Sequence, residues 1–166
     1  AGDMLESCKE KEIFDAVKIG FNYCQVVEMM MYLINTHPDL QVAVHQCARF
    51  SHDPREAHGK ALRRIARYLK NTANGGVKIR KNDGPAKFDC YVDADFAGLF
   101  GKEDPQDPSS VKSRTGYVFA LNGNPVHWAS KLQTTIALST VEAEYCALSQ
   151  ALTEFLPMRK LAMELC

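Results

Sequence analysis

Thr115-Gly-Tyr-Val-Phe-Ala-Leu-Asn-Gly-Asn-Pro-Val-His-Trp-Ala-Ser130 is the stretch on which the fold turns. Thr115 to Leu121 is rich in β-branched and aromatic residues, Asn122-Gly123 is a two-residue hairpin signal, and Pro125 to Ser130 returns as the next strand. Upstream, Phe88-Asp-Cys-Tyr-Val-Asp93 alternates apolar and polar side chains, as a half-buried strand does. A long polar loop with Pro105 and Pro108 separates it from the hairpin, between Gly98 and Lys112. Downstream, Ser139-Thr140 caps a helix running to about Phe155; Pro157 kinks or restarts it, and helical pattern continues to Cys166. Three strands followed by a helix is an α+β (α/β-like) order.

Before the strands the periodicity is helical. Residues 1–20 are weakly patterned, a linker or frayed helix. Tyr23 to Thr36 is apolar almost all round and reads as a buried helix stopped by Pro38. A second helix starts at Pro38 and runs to about Phe50, with Leu40, Val44 and Cys47 inward. The third has Asp53 as N-cap, Pro54 at its first position and Glu56 completing a capping box. Ala61, Leu62, Ile65, Tyr68 and Leu69 share its apolar side, and Asn74-Gly75-Gly76 ends it. Its other side carries Lys60, Arg63, Arg64 and Arg67 in one stripe, a ladder of cations suited to a phosphate backbone.

Composition bounds the rest. With 166 residues, 46% hydrophobic and 24% charged, the chain is neither disordered, collagen-like nor histone-like. Its longest apolar run, Phe21 to Ile34, is broken by Glu28 and falls short of the roughly 20 residues a membrane span needs. The 20 basic and 20 acidic residues cancel, yet between Arg49 and Lys81 ten basic face two acidic side chains, a local excess of eight. Carboxylates follow later, so phosphate binding stands beside metal chemistry, with two solvated faces as the alternative. The six cysteines are scattered with no CxxC pair, and are read as free thiols in a reducing compartment. His45, Cys47, His52 and His58 match no zinc-ligand spacing, and no GxSxG, GxxxxGK[ST] or HExxH motif is present.

Three carboxylates stand out. Asp93 and Asp95 are two apart on a strand and leave on one face. Glu144, Ala147, Leu148, Ala151, Leu152 and Phe155 follow helical spacing, which places Glu144 on the core-facing row, where it needs a cation, a metal or strong hydrogen bonds. Glu142, three residues after Ser139, is the capping glutamate. A strand carboxylate facing a helix carboxylate is an oxygen-rich arrangement suited to Mg²⁺, and a pair of such ions can cleave a phosphodiester.

These motifs carry a resemblance. Tyr91-Val-Asp-Ala-Asp-Phe-Ala-Gly98, Lys112-Ser-Arg-Thr-Gly-Tyr-Val-Phe119, Trp128-Ala-Ser-Lys-Leu-Gln133 and Ala137-Leu-Ser-Thr-Val-Glu-Ala-Glu-Tyr145 resemble the ribonuclease H domain of Ty1/copia-type retrotransposon polyproteins. Tyr32-Leu33, His37-Pro-Asp39, Cys47-Ala-Arg-Phe50 and Arg67-Tyr-Leu-Lys-Asn-Thr72 resemble the thumb and connection that end the same polyprotein's reverse transcriptase. The resemblance implies a linker or frayed segment over 1–22, thumb/connection-like helices over 23–82 and a truncated ribonuclease H-like domain over 83–166, with a partial mixed sheet and helices. It also implies cutting of the RNA strand of RNA–DNA hybrids with Mg²⁺, for which Mn²⁺ substitutes. Asp93 becomes the first-strand metal ligand, Glu144 the helix ligand and Asp95 a further one.

The family's later carboxylates lie beyond Cys166, so this chain alone is expected to be weak or inactive. The alternative is a non-catalytic nucleic-acid-binding or structural remnant. Expected partners are an RNA–DNA hybrid or other nucleic acid and the remainder of the parent polyprotein, with no membrane. The expected place is inside the cell, in the cytoplasm (a virus-like particle for the parent element) or the nucleus. Glu28 and His37 depart from the family's usual glycine and arginine.

Overall fold

Asn122 and Gly123 take φ of 51° and 77°, the paired left-handed geometry that a two-residue hairpin turn requires. In the computed structural model, which describes residues 20–81, 84–101 and 107–165, this turn joins two of three strands. They are β1 (Phe88–Asp95), β2 (Arg114–Leu121) and β3 (Asn124–Leu132), in the order β1-β2-β3. Both pairings are antiparallel, with Asp93 opposite Gly116, Asp95 opposite Arg114 and an irregularity at Phe119/Ala120. A mixed sheet also needs a parallel strand, and none is among the described residues; there, β1 and β3 are the sheet's edges. Two asparagines tie the hairpin tip to the chain before β1. Asn122 Oδ1 accepts from the Lys87 N–H at 2.7 Å, and Asn124 Oδ1 from the Arg80 N–H at 2.7 Å.

The chain divides into two compact units, one ending at Gly76 and the other beginning at Val77. The basic stretch is therefore shared, with Lys78, Arg80 and Lys81 belonging to the strand unit.

The helical unit holds α1 (Tyr23–Leu33), a 3-10 turn over Pro38–Leu40, α2 (Gln41–Ala48) and α3 (Glu56–Asn71). Its core joins Tyr23, Val27 and Met30 of α1 to Val44 and Cys47 of α2 and to Leu62 and Ile65 of α3. Asn22 caps α1, its Oδ1 accepting from the Gln25 N–H at 3.2 Å. Four expectations need correction here. α1 buries one face only, leaving Met29 and Tyr32 exposed, because α2 and α3 pack on a single side of it. Pro38 starts a separate 3-10 turn before α2. α3 begins at Glu56 with Arg55 as its N-cap residue, and His58 reaches back to it, its Nδ1 accepting from the Arg55 N–H at 2.9 Å. Tyr68 is turned outward, donating from its hydroxyl to Asp39 at 2.6 Å.

In the strand unit α4 (Thr140–Leu165) runs unbroken through Pro157 and covers one face of the sheet. Ser139 and Glu142 form the expected cap: Ser139 Oγ accepts from the Glu142 N–H, and Glu142 Oε2 from the Leu138 N–H at 2.7 Å. Ala143, Ala147, Ala151 and Phe155, one every fourth residue, are its buried row. Phe119 is fully buried, and Phe88 stacks on Phe155 with centroids 4.9 Å apart. Gln133 pins the helix down, its Nε2 donating to Thr115 Oγ1 at 3.2 Å and to the Ala143 carbonyl at 2.8 Å. Cys24, Cys47, Cys90 and Cys146 are free thiols, while the expectations for residues 1–19, Cys8, Pro105 and Cys166 lie outside the described residues. No described helix is long and apolar enough to cross a membrane.

Candidate functional site

Two groups of side chains were expected to carry chemistry, one in each unit. In the helical unit, Leu62 and Ile65 anchor α3 in the core, so the opposite side must face water. Lys60, Arg63, Arg64 and Arg67 are all exposed there, and Lys70 extends the row by one more turn. The same spacing rule reaches Lys70, three residues beyond Arg67, so it was within reach of the sequence pattern. Lys60, Arg63, Ala66, Arg67 and Lys70 line an open groove of about 430 Å³. Lys60 is paired with Glu56 at 2.8 Å, and the Arg63 guanidinium lies 5.5 Å from the centre of the Phe21 ring. The side chains of Arg67 and Lys70 make no hydrogen bond or ion pair with the described residues. An exposed cation row of this kind meets phosphates without a prior desolvation cost and carries no base-reading geometry of its own.

In the strand unit the carboxylates are placed differently from the expectation. Phe88, Cys90 and Val92 of β1 turn toward α4, so the alternating Asp93 and Asp95 lie on the opposite face of the sheet. Both are exposed, and Asp93 makes no hydrogen bond or ion pair with the described residues. The Asp95 carboxylate folds over the turn that follows β1, where a Cβ on Gly98 would collide with it. Ala97 in that turn takes a φ of 46°, and its N–H donates to Ser113 Oγ at 3.2 Å. Glu144 is exposed rather than core-facing. Ala143 takes the inward position at that turn, because small side chains let the helix approach the sheet and Gln133 holds the Ala143 carbonyl. Among the described residues no group of three or more His, Cys, Asp or Glu is placed to hold a metal ion.

One polar cluster had no sequence signal. Glu154 on α4 accepts from Lys131 Nζ at 3.0 Å, and His127 Nε2 lies 3.1 Å from its other oxygen. Burial works to raise the Glu154 pKa, but Tyr117, Lys131 and His127 together hold the carboxyl down at about 2. This cluster fastens α4 to β3, and its contacts are spent within the unit. His58 is likewise structural: it is buried and stacked on Phe50, with ring centroids 4.1 Å apart.

Comparison with known proteins adds a second line of observation. The chain is 44% identical over 133 residues to the secreted RxLR effector protein 161 of Plasmopara viticola, covering 87% of that protein. It is 36% identical over 132 residues to the retrovirus-related Pol polyprotein from transposon RE1 of Arabidopsis thaliana. It is also 36% identical over 144 residues to the corresponding polyprotein from transposon TNT 1-94 of Nicotiana tabacum. The matches take in 80% and 86% of this chain but span only 8% and 10% of the two polyproteins. No family model matches the chain, and no solved structure does.

Proposed function

The chain belongs to the Ty1/copia-type family of retrotransposon Pol polyproteins, and from that premise we propose that it corresponds to the passage from the end of the reverse transcriptase into the front of the ribonuclease H domain. In this reading residues 23–82 are thumb/connection-like and 83–166 ribonuclease H-like. The work of this span is to hold nucleic acid by its backbone; hydrolysis of the RNA strand of a hybrid belongs to the intact parent. The observation that supports it is the single exposed face of α3 bearing Lys60, Arg63, Arg64, Arg67 and Lys70. In the parent, the family resemblance would make Asp93 and Glu144, with Asp95 as a further candidate, ligands of Mg²⁺ or Mn²⁺; since the aspartates leave the sheet face opposite α4, they would do so only with carboxylates supplied from elsewhere in the polyprotein. The bound ion supplies an activated water and stabilises the leaving oxygen. The parent acts inside the cell, in the cytoplasm or the nucleus.

Binding of a labelled RNA–DNA hybrid, with cleavage followed in Mg²⁺ and in Mn²⁺, tests this. Four or five phosphate contacts predict a fall in affinity of roughly 100-fold or more between 50 and 200 mM salt, with little preference for sequence. Replacing Lys60, Arg63, Arg64 and Arg67 by Gln removes most of that salt dependence; binding unchanged by the replacement refutes the assignment of the face. Cleavage by this chain that disappears in Asp93→Asn would make the span itself catalytic. In the intact parent, full cleavage with Glu144→Gln would refute the metal-ligand assignment.

A second reading is a free-standing, non-catalytic nucleic-acid-binding or structural module. The coverage of 87% of the Plasmopara effector favours it, because a protein of nearly this span occurs there on its own. A nucleic-acid-binding module shares the backbone binding of the first reading, a structural one does not, and neither takes part in cleavage by a longer parent.

A further inference from the structure

The last helix carries two apolar rows, and the sheet uses one. Beside the buried alanine row run Val141, Tyr145, Leu148, Leu152, Leu156 and Met163, all exposed, from 37% at Leu152 to 69% at Tyr145 and Met163. At about 100° per residue these six fall within an arc of roughly 80°, along about 33 Å of helix. A continuous row of six large apolar side chains goes beyond the single hydrophobes normal on a surface.

We propose that this row is the contact through which two copies of the chain pair, with their α4 helices antiparallel about a two-fold axis at Leu152. The register supports a second copy as the occupant. With Leu152 against Leu152 of the second copy, Leu148 meets Leu156, Val141 meets Met163, and Tyr145 meets Arg159, whose guanidinium suits an aromatic face. In this register every apolar side chain of the row but Tyr145 meets an apolar one, and Tyr145 meets a cation.

Charge selects the same orientation. Glu142 and Lys160 are eighteen residues apart, about five turns, so both project from the same flank of the row. Antiparallel pairing brings Glu142 of each copy close to Lys160 of the other; parallel pairing would put the two copies of this flank on opposite sides of the interface and form neither contact. Glu142 spends only Oε2 on its own cap and keeps Oε1 for this contact. Pro157, about 140° round from Leu152, stays clear of the interface. Six such side chains bury on the order of 500 Å² per copy, or about 1,000 Å² in all, the lower bound for a specific interface. An interface of that size is of the weak, reversible class, so the pairing is sought at high protein concentration.

Sedimentation velocity of the 166-residue chain at about 100 µM tests the proposal. The expected result is a dimer that becomes a monomer in Leu152→Glu, which sets two carboxylates face to face at the axis while leaving the helical circular dichroism unchanged. Glu142→Lys should weaken the dimer by about ten-fold, and adding Lys160→Glu should restore it. A parent chain that stays monomeric at this concentration overturns the proposal, leaving the row for another segment of a longer protein. A dimer that survives Leu152→Glu overturns it too, because the copies then meet elsewhere. Failure of the double exchange to restore pairing overturns the antiparallel register.

Discussion

Acidification should loosen the helical unit through one side chain, His58. Its residue is 4% exposed, its ring is stacked on Phe50, and its Nδ1 accepts the Arg55 N–H at 2.9 Å. Only a neutral imidazole can accept there, so protonation breaks the cap of α3 and buries a charge in the same event. Burial first, and the charge of Arg55 second, lower the His58 pKa from its ordinary 6.5 to about 4, with Asp53 opposing them. A separation of about 2.5 units corresponds to about 3 kcal/mol. Between the two values the unfolded chain binds more protons than the folded one, so stability falls as the pH drops from about 6.5 to about 4 and loses nothing more to this residue below that. Urea unfolding at pH 7 and at pH 4 measures the loss. Circular dichroism reports the helices of both units, and Trp128 fluorescence reports the strand unit alone. His58→Gln keeps an acceptor without the titration, and its pH-dependent loss should be smaller by about 3 kcal/mol. An NMR titration placing His58 near 6.5, or equal pH dependence in the variant, would refute the reasoning.

Other outcomes follow from the strand unit. Gln133→Leu removes the two buried hydrogen bonds that tie β2 to the start of α4, to Thr115 Oγ1 and to the Ala143 carbonyl, at a cost of about 2 kcal/mol in unfolding followed by Trp128 fluorescence. Gly98→Ala displaces the Asp95 carboxylate from its turn and should cost about 1 kcal/mol, read as a lowered unfolding midpoint; an unchanged midpoint would mean the turn does not hold it. Glu154 contributes above its ordinary pKa of 4.5, and the contribution is lost as the pH falls toward about 2. With its side chain 38% exposed, solvent screening leaves about 1 kcal/mol of that, and in Glu154→Gln the unfolding free energy should show correspondingly less acid sensitivity across this window.

The hairpin was legible because its turn depends on two adjacent residues: Asn122 and Gly123 tolerate a backbone that most residues refuse. The cap by Ser139 and Glu142 and the cation row of α3 were legible for the same local reason. Glu144 was not, because helical spacing recovers a broad stripe without saying which part of it meets the sheet. On α4 the alanines pack inward while Leu148 and Leu152 remain outside. The start of α3 escaped as well, since His58 fills a role usually taken by a glutamate or glutamine. Which face of β1 the aspartates leave by depends on where α4 lands, a tertiary fact that alternation alone cannot supply.

Among the described residues β1 is an edge strand, and Asp93 and Asp95 stand on it. An eight-residue edge strand offers unpaired N–H and C=O groups to any other extended chain, and such edges seed association. Two carboxylates spaced along it charge the edge, so that strand-to-strand docking of two molecules would bring negative charges together. Substituting both by asparagine, the usual way to silence a hydrolytic site, would therefore also unguard the strand, and a preparation made that way should cloud on standing where the parent stays clear.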